Sequence, residues 1–105
     1  MVESLKIPAH QPTSVGTMLK EEFLEPLKIT QGQMAKAMGM GRKTVNELCS
    51  GRRGVTADTA FLLAKVLGTT PDFWLNLQLI NDIWLAQHSD VLAKKLEHAQ
   101  PLVAA

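Results

Sequence analysis

The sequence predicts an all-α fold, a single bundle of five helices, and three observations support this prediction. Apolar residues recur at spacings of three and four along most of the chain, whereas the alternation typical of strands is absent. Serine or threonine precedes four of the five segments and glycine follows three of them, which is the order of helix N-caps and C-terminal stops. A length of 105 residues corresponds to one domain with one core.

The first helix is expected to follow a flexible N-terminal arm. This arm, residues 1–13, contains two prolines and little periodicity. Ser14 is placed to cap a helix over residues 15–24. Pro26 ends this helix, since proline breaks a helix interior. The residues expected on its apolar side are Met18, Leu19, Phe23 and Leu27.

The second and third helices are short and are separated by a glycine. Thr30 and Gln33 form a T-x-x-Q capping box at the start of the second helix. Gly39 ends that helix, because glycine adopts a positive φ at little cost. The third helix is predicted from about Arg42 to Cys49, and Gly51 is its expected stop.

The fourth and fifth helices are longer. The fourth begins after Thr56, ends at Gly68 and has a predicted buried stripe of Ala60, Leu63, Ala64 and Leu67. Thr70-Pro71-Asp72 opens the fifth, with cap, first-turn proline and acid in order. That helix is expected to end at about Gln87 or His88, which leaves residues 89–105 as a short C-terminal extension. The residues that would line its broad apolar side are Phe73, Trp74, Leu77, Ile80, Ile83 and Trp84.

Basic residues are concentrated in the middle of the chain. The net charge is only +1, but residues 30–56 contain five basic residues and one acidic residue, a local net charge of +4. Residues 1–29 carry −1 and residues 57–105 carry −2. A local basic footprint is what neutralisation of phosphate groups requires, while the acidic remainder keeps the whole chain near neutrality.

Residues 31–48 have the pattern of a helix-turn-helix, the unit that places a recognition helix in the major groove of DNA. Ala35 is small where the two helices would cross, and Gly39 lies at the turn. The positions expected to be buried are Met34, Met38, Met40, Val45 and Leu48. Together with the surrounding helices, this unit predicts a DNA-binding domain over residues 14–88.

The outward-facing residues of this unit are the candidate DNA contacts. Contacts to bases are expected from Arg42, Lys43, Thr44 and Asn46. Contacts to phosphates are expected from Thr30, Gln31, Arg52 and Arg53. The two loop arginines could instead be ordinary surface charges. Glu47 is expected to face solvent or an intrahelical partner rather than a cytosine.

A dimer is expected because one short recognition helix contacts only a few base pairs, and a specific site usually consists of two half-sites. The fifth helix has more apolar residues than one stripe requires. The residues expected at the dimer contact are Trp74, Trp84, Leu85 and Leu92. Trp74 fits the core of one chain equally well, whereas Trp84 fits the interface better.

Other functional classes find little support in the sequence. No nucleophile lies beside a general base, so an enzyme is not expected. The three histidines share no ligand spacing, so no metal or other cofactor is expected. Cys49 is the only cysteine, and it is better interpreted as a small helix residue near the core than as a redox sensor. With no signal peptide or membrane-spanning run, the chain is expected to be cytoplasmic, with no membrane partner and no small-molecule substrate.

Two runs resemble a known family. LKEEFLEPLKITQGQMAKAMGMGRKTV and GRRGVTADTAFLLAKVLGTTPDFWLNLQ are similar to antitoxins of the HigA type. These form a branch of the lambda-repressor-like helix-turn-helix proteins that also includes proteins called VapI. The resemblance covers about residues 15–86. It implies a homodimeric repressor that binds the operator of its own operon and neutralises a HigB-type toxin, a RelE-like mRNA endonuclease.

Two alternatives to this function remain open. The chain could be a stand-alone transcriptional repressor of the same fold, which would bind an operator without a toxin partner. It could also be a protein-interaction module that has lost its DNA site, which would show no salt-dependent, sequence-specific DNA binding.

Overall fold

The computed structural model describes residues 6–104, and across this range the chain is helical, with no strand. The helices are α1 (Val15–Thr17), which continues directly into a π-helical segment (Met18–Leu24), α2 (Gln31–Met38), α3 (Arg42–Ser50), α4 (Ala57–Leu67), α5 (Pro71–Gln87) and α6 (Asp90–His98). The predicted all-α class is confirmed. The predicted count of five helices omits α6, which lies in the C-terminal extension.

Helix α6 forms because both of its ends are stabilised locally. The Ser89 hydroxyl oxygen accepts a hydrogen bond from the amide of Leu92 at 3.1 Å. Asp90 lies in the first turn, and Lys95 and His98 lie in the last turn, which suits the helix dipole. None of the residues of α6 is buried.

The π-helical segment changes which residues of the first helix face the core. Leu19 and Leu24 are both buried although they are five residues apart, a spacing that would place them about 140° apart around an α-helix. A π-helix bonds each residue to the fifth one along the chain, as the amide of Glu25 does with the carbonyl of Lys20. The expectation that Leu27 lies on the apolar side is wrong, because its side chain is 59% exposed.

Trp74, from α5, lies at the centre of the core and is 0% exposed. Its ring packs against those of Phe23 and Phe73, at centroid distances of 5.4 and 5.0 Å. Its indole nitrogen donates a 2.7 Å hydrogen bond to the hydroxyl of Thr69. The prediction that Trp74 contributes to a dimer contact is therefore wrong, because no part of its side chain is left for a second copy, and the core alternative holds.

The described part of the N-terminal arm lies against α5. Asn81, which is buried, donates a hydrogen bond to the carbonyl oxygen of Thr13 at 2.8 Å. The indole nitrogen of Trp84 donates a longer one, 3.4 Å, to the carbonyl oxygen of Ala9. Residues 1–5 of the predicted arm lie outside the described residues, and flexibility of the arm stays a prediction.

Candidate nucleic-acid interface

Helices α2 and α3 are joined by a turn at Gly39, as the sequence predicts. Thr30 and Gln33 form the predicted capping box at the start of α2, with hydrogen bonds of 2.9 and 3.0 Å. Gly39 has a φ of +69°, in the left-handed region, which lets the chain leave α2 and begin α3. Of the residues expected to be buried here, Met34, Met38, Val45 and Leu48 are buried and Met40 is partly buried; Ala35, expected at the helix crossing, is buried as well.

The first turn of α3 is exposed and basic. Arg42 and Lys43 lie on the surface, and Thr44 is half-buried beside them. Val45 and Leu48, on the opposite side of the helix, are almost fully buried in the core. This packing gives α3 a defined orientation, so that its polar residues project from the protein as a group.

The N-terminus of α3 also differs in its capping. Helices α1, α2, α4, α5 and α6 each begin with a Ser or Thr whose hydroxyl accepts an amide hydrogen bond. Gly41 occupies this position in α3, and no side chain caps the helix. The first amides of α3 therefore lack a side-chain acceptor, and the helix dipole adds positive potential at the same end.

Three of the predicted DNA contacts are joined by hydrogen bonds. The Asn46 amide nitrogen donates to Gln31 Oε1 at 3.1 Å, which links α3 to the start of α2. Arg52 Nη2 donates to Asn46 Oδ1 at 2.8 Å, and Arg52 Nε donates to the Ser50 hydroxyl at 3.0 Å. The structure thus brings Gln31, Asn46 and Arg52 into one chain of contacts, named here the Gln31–Asn46–Arg52 network.

Arg53 forms an ion pair with Glu47, on the side of α3 that leads into the loop. Its Nε and Nη2 atoms donate to Glu47 Oε1 at 3.1 and 2.8 Å. The hydrogen bond and charge of Arg53, with smaller contributions from Lys43 and Arg52, hold the pKa of Glu47 below its usual value. The Glu47 carboxylate is therefore paired within the chain, with Arg53 of the following loop rather than with a residue of α3.

The loop after α3 is held at both of its ends. The amides of Arg52 and Arg53 donate to the carbonyl oxygen of Glu47 at 2.9 and 3.2 Å. At the far end, the amide of Val55 donates to Gln78 Oε1 at 3.0 Å. Gln78 in turn donates to Asp82 at 2.9 Å, so α5 anchors the loop that carries the two arginines. The sequence reasoning missed Gln78, because nothing in its local pattern distinguishes it from a surface residue of α5.

Thr30 and Gln31 lie together at the start of α2. The Thr30 hydroxyl oxygen accepts from the amide of Gln33, so its own proton is left to donate. Gln31 is half-buried and receives the hydrogen bond from Asn46 described above. Both side chains therefore stand at the positive end of the α2 dipole, beside the Gln31–Asn46–Arg52 network.

Among residues 6–104, no group of three or more His, Cys, Asp or Glu side chains is placed to hold a metal ion. None of the helices in this range combines the length and the apolar character needed to span a bilayer.

Helices α2 and α3 pack together across a glycine turn, and the second of them begins with an exposed basic turn. This arrangement is that of a DNA-binding helix-turn-helix protein. The helix-turn-helix family model matches residues 20–74. The chain belongs to this family, in the branch that includes the HigA-type antitoxins.

Individual relatives cover most of the chain. Antitoxin HigA-1 of Vibrio cholerae serotype O1 is 55% identical over 75 residues, which are 70% of each chain. An uncharacterised helix-turn-helix transcriptional regulator of Haemophilus influenzae is 40% identical over 91 residues, 87% of this chain and 85% of the regulator. The solved structure of antitoxin GraA in complex with its operator superposes with a TM-score of 0.79 at 37% identity, covering 95% of this chain and 99% of GraA.

Proposed function

We propose that this protein is a homodimeric repressor that binds the operator of its own operon and neutralises a HigB-type toxin in the cytoplasm. The observation that carries the DNA-binding part is the start of α3, where exposed Arg42 and Lys43 stand beside amides without a side-chain cap. The similarity to antitoxin HigA-1 and to operator-bound GraA supports both parts.

The proposed DNA contacts divide into two groups. Arg42, Lys43 and Thr44 contact base edges, because the first turn of a recognition helix enters the major groove most deeply. The proposed phosphate contacts are Thr30, Gln31, Arg52 and Arg53, which surround that turn from α2 and from the loop. For Arg53 to contact a phosphate, its ion pair with Glu47 must open or be shared.

The proposed dimer contact lies on α5 and α6. An apolar groove of about 240 Å³ runs between these helices, lined by Ile83, Ala86, Leu92 and Leu96 among others. Leu85 does not line this groove; it is 52% exposed on α5 and borders a second cavity, together with Asn81 and Arg53. Trp84 is half-buried, and its ring stacks on His88 at 3.9 Å. A second copy covering Trp84, Leu85 and Leu92 would remove this apolar surface from water.

The dimer contact is tested by light scattering after size-exclusion chromatography. Leu85→Glu places a charge in the proposed interface and should shift the mass toward that of one chain. Phe61→Glu is the matched control, because Phe61 is an exposed apolar residue on α4, at 65%, outside the proposed contact. Equal masses for the two variants would contradict this location of the interface.

The toxin partner is proposed from the relatives together with the charge distribution. Residues 57–105, which include α4 to α6, carry a net charge of −2, in contrast to the basic α3 region. An RNA-cleaving toxin has to bind a polyanion and is expected to be basic, so it would be attracted to the acidic part of the molecule. The DNA-contacting residues would then stay free for the operator.

Affinity purification of the tagged protein from its native host tests the toxin part. We expect a small basic protein to co-purify in stoichiometric amount and to stop growth when it is expressed alone. Co-expression of the present chain should restore growth. Recovery of the tagged protein without a partner would contradict toxin neutralisation.

The alternative function is a stand-alone regulator, which the 40% identity to the Haemophilus influenzae transcriptional regulator favours. This alternative shares the DNA contacts proposed above and predicts operator binding without a toxin. Binding of the purified protein to the DNA upstream of its own gene, together with an empty affinity purification, would support it.

A further inference from the structure

Asn46 lies in the middle of the proposed DNA-contacting surface, and its side chain is already engaged on both sides. Its carbonyl oxygen accepts from the guanidinium of Arg52 at 2.8 Å, and its amide nitrogen donates to Gln31 at 3.1 Å. Both partners are themselves proposed phosphate contacts. The side chain therefore bridges two residues that lie on different elements, the start of α2 and the loop after α3.

This geometry competes with a base-reading role for Asn46. An asparagine recognises adenine by accepting from N6 with its oxygen and donating to N7 with its nitrogen. In Asn46 the oxygen accepts a hydrogen bond from a charged donor, and such bonds are the stronger ones. Adenine recognition would require the Arg52 contact to be given up or shared.

Arg52 benefits from the bridge because a free arginine side chain loses much rotamer freedom when it binds a phosphate. Here the guanidinium is held at two points, by Asn46 Oδ1 and by the Ser50 hydroxyl at 3.0 Å. Two of the five N–H groups of an arginine make these bonds, so others remain to donate to a phosphate. The side chain is thus ordered before DNA arrives.

We propose that Asn46 is a positioning residue, which holds Gln31 and Arg52 in place as one phosphate-binding unit and does not read the DNA sequence. This inference rests on the proposed DNA binding. It assigns sequence readout to the first turn of α3, to Arg42, Lys43 and Thr44. It also predicts that loss of the Asn46 side chain weakens binding to all DNA sequences by the same factor.

The test compares Asn46→Ala with the wild-type protein on two probes: a duplex selected by the wild-type protein from a random-sequence library, and a scrambled duplex of the same length. We expect affinity for both probes to fall by a similar factor, about tenfold. A repeated selection with the variant should return the wild-type sequence preference. Asn76→Ala is the matched control, because Asn76 is exposed on α5 outside the network.

Salt dependence separates positioning from direct phosphate contact. Arg52→Ala removes a charge and should lower the slope of log affinity against log salt by about 0.9. Asn46→Ala leaves every charge in place and should keep the wild-type slope. The double variant Asn46→Ala/Arg52→Ala should bind as weakly as Arg52→Ala with at most a small further loss, since Asn46 acts largely through Arg52.

A measurement without DNA tests the bridge directly. The Arg52 Nη–H groups, one of which donates to Asn46, should exchange faster with water in the NMR spectrum of Asn46→Ala than in that of the wild-type protein. Asn46→Asp retains an oxygen acceptor for the guanidinium and should restore the slow exchange. Because the network lies on the surface, the thermal unfolding midpoint should differ little among these proteins.

Three results would overturn this inference. One is a loss of preference at a single A·T base pair in Asn46→Ala, which would make Asn46 a base-contacting residue. Another is full additivity of the Asn46 and Arg52 substitutions, and the third is unchanged Arg52 exchange in Asn46→Ala. If the wild-type protein selects no sequence, the proposed DNA binding itself is overturned. If it selects one and only the Asn46 results differ from those expected, the positioning role alone is overturned.

Discussion

Gly16 lies directly against the backbone of Cys49, where α1 crosses the C-terminal end of α3. A Cβ atom on residue 16 would stand 2.5 Å from the carbonyl oxygen of Cys49 and 2.6 Å from that of Leu48. These atoms belong to the backbone of the proposed recognition helix, so they cannot move aside as a flexible side chain would. The absence of a side chain at residue 16 therefore sets how closely α1 packs on α3.

The first prediction follows from this contact. Gly16→Ala should destabilise the protein by about 1–3 kcal/mol, because the added methyl group overpacks a rigid contact. Urea unfolding followed by circular dichroism measures this change. Gly32→Ala is the matched control, since its Cβ would meet only the Thr30 hydroxyl, at 3.9 Å. Alanine within a helix should leave stability unchanged or raise it slightly there. Equal effects of both substitutions would contradict the packing argument.

A second prediction concerns the buried indole of Trp74. Thr69→Val removes the acceptor of its N–H group, and a buried unpaired donor should cost about 1–3 kcal/mol of unfolding free energy. In a Trp74→Phe background there is no N–H to satisfy, so the same threonine substitution should cost much less. Chemical denaturation of the wild-type protein, the two single variants and the double variant gives the coupling free energy between Thr69 and Trp74. A coupling of zero would show that the hydrogen bond does not contribute.

The third prediction concerns the two classes of DNA contact. Arg42→Ala should relax specificity at one base pair, where a bidentate arginine contributes about 1–3 kcal/mol of discrimination. Arg52→Ala should instead weaken binding to all sequences alike. Competition binding with single-substitution duplexes checks both. If Arg42→Ala lost the same affinity for operator and random DNA, its assignment to base readout would be refuted.

A fourth prediction is the acid titration of Glu47. Because Arg53 stabilises the carboxylate, the folded-state pKa lies below the usual value of 4.5. The ion pair therefore contributes fully above pH 4.5 and is lost as the pH falls through the lower folded-state pKa. Carbon-detected NMR should show the Glu47 midpoint below 4.5 in the wild-type protein. Arg53→Gln should move it upward, whereas Arg42→Gln should not. An unchanged midpoint in Arg53→Gln would disprove the pairing in solution.

The fifth prediction concerns the reactivity of Cys49. Burial raises the pKa of this thiol above its usual value of 9.0, and the nearby charge of Lys20 opposes the shift only in part. Since the thiolate is the reactive form, a disulfide reagent at pH 8 should label Cys49 more slowly in the folded protein than in urea. Lys20→Gln should slow the reaction further. Labelling at the same rate in both solvents would contradict this environment.

The part of the fold that the sequence predicts is the part set by residues close together in the chain. The caps at Thr30, Thr56 and Thr70 and the stop at Gly39 depend on residues within one turn of each other, and all are present in the structure. The error at Leu27 arose because the π-helical segment has a spacing that α-helical periodicity does not contain. Helix α6 was missed because it is short and none of its residues is buried, and the apolar residues that it turns toward the groove, Leu92 and Leu96, are only one turn apart.

In the candidate DNA-contacting site, too, local sequence patterns predict some features and tertiary packing determines the others. The exposed basic start of α3 follows from the spacing of its buried residues, Val45 and Leu48. The Gln31–Asn46–Arg52 network depends instead on how α2, α3 and the loop pack together, and residues 31 and 46 are too far apart in sequence for a local pattern to reveal it. The same is true of Gln78, whose partner Val55 lies 23 residues away.

At Gly41, the stability of α3 and the proposed DNA binding make opposite demands. Its φ of −75° and ψ of 149° suit any residue, and an added Cβ would have no neighbour within 4 Å. A serine would fit there and would strengthen α3 by a few tenths of a kcal/mol. In the proposed complex this serine would stand next to Arg42 and Lys43, at the helix start assigned to base contacts, so the gain in stability would be made at the surface that DNA has to approach. Attempts to make this protein more heat-resistant should therefore avoid the one helix start that looks easiest to improve.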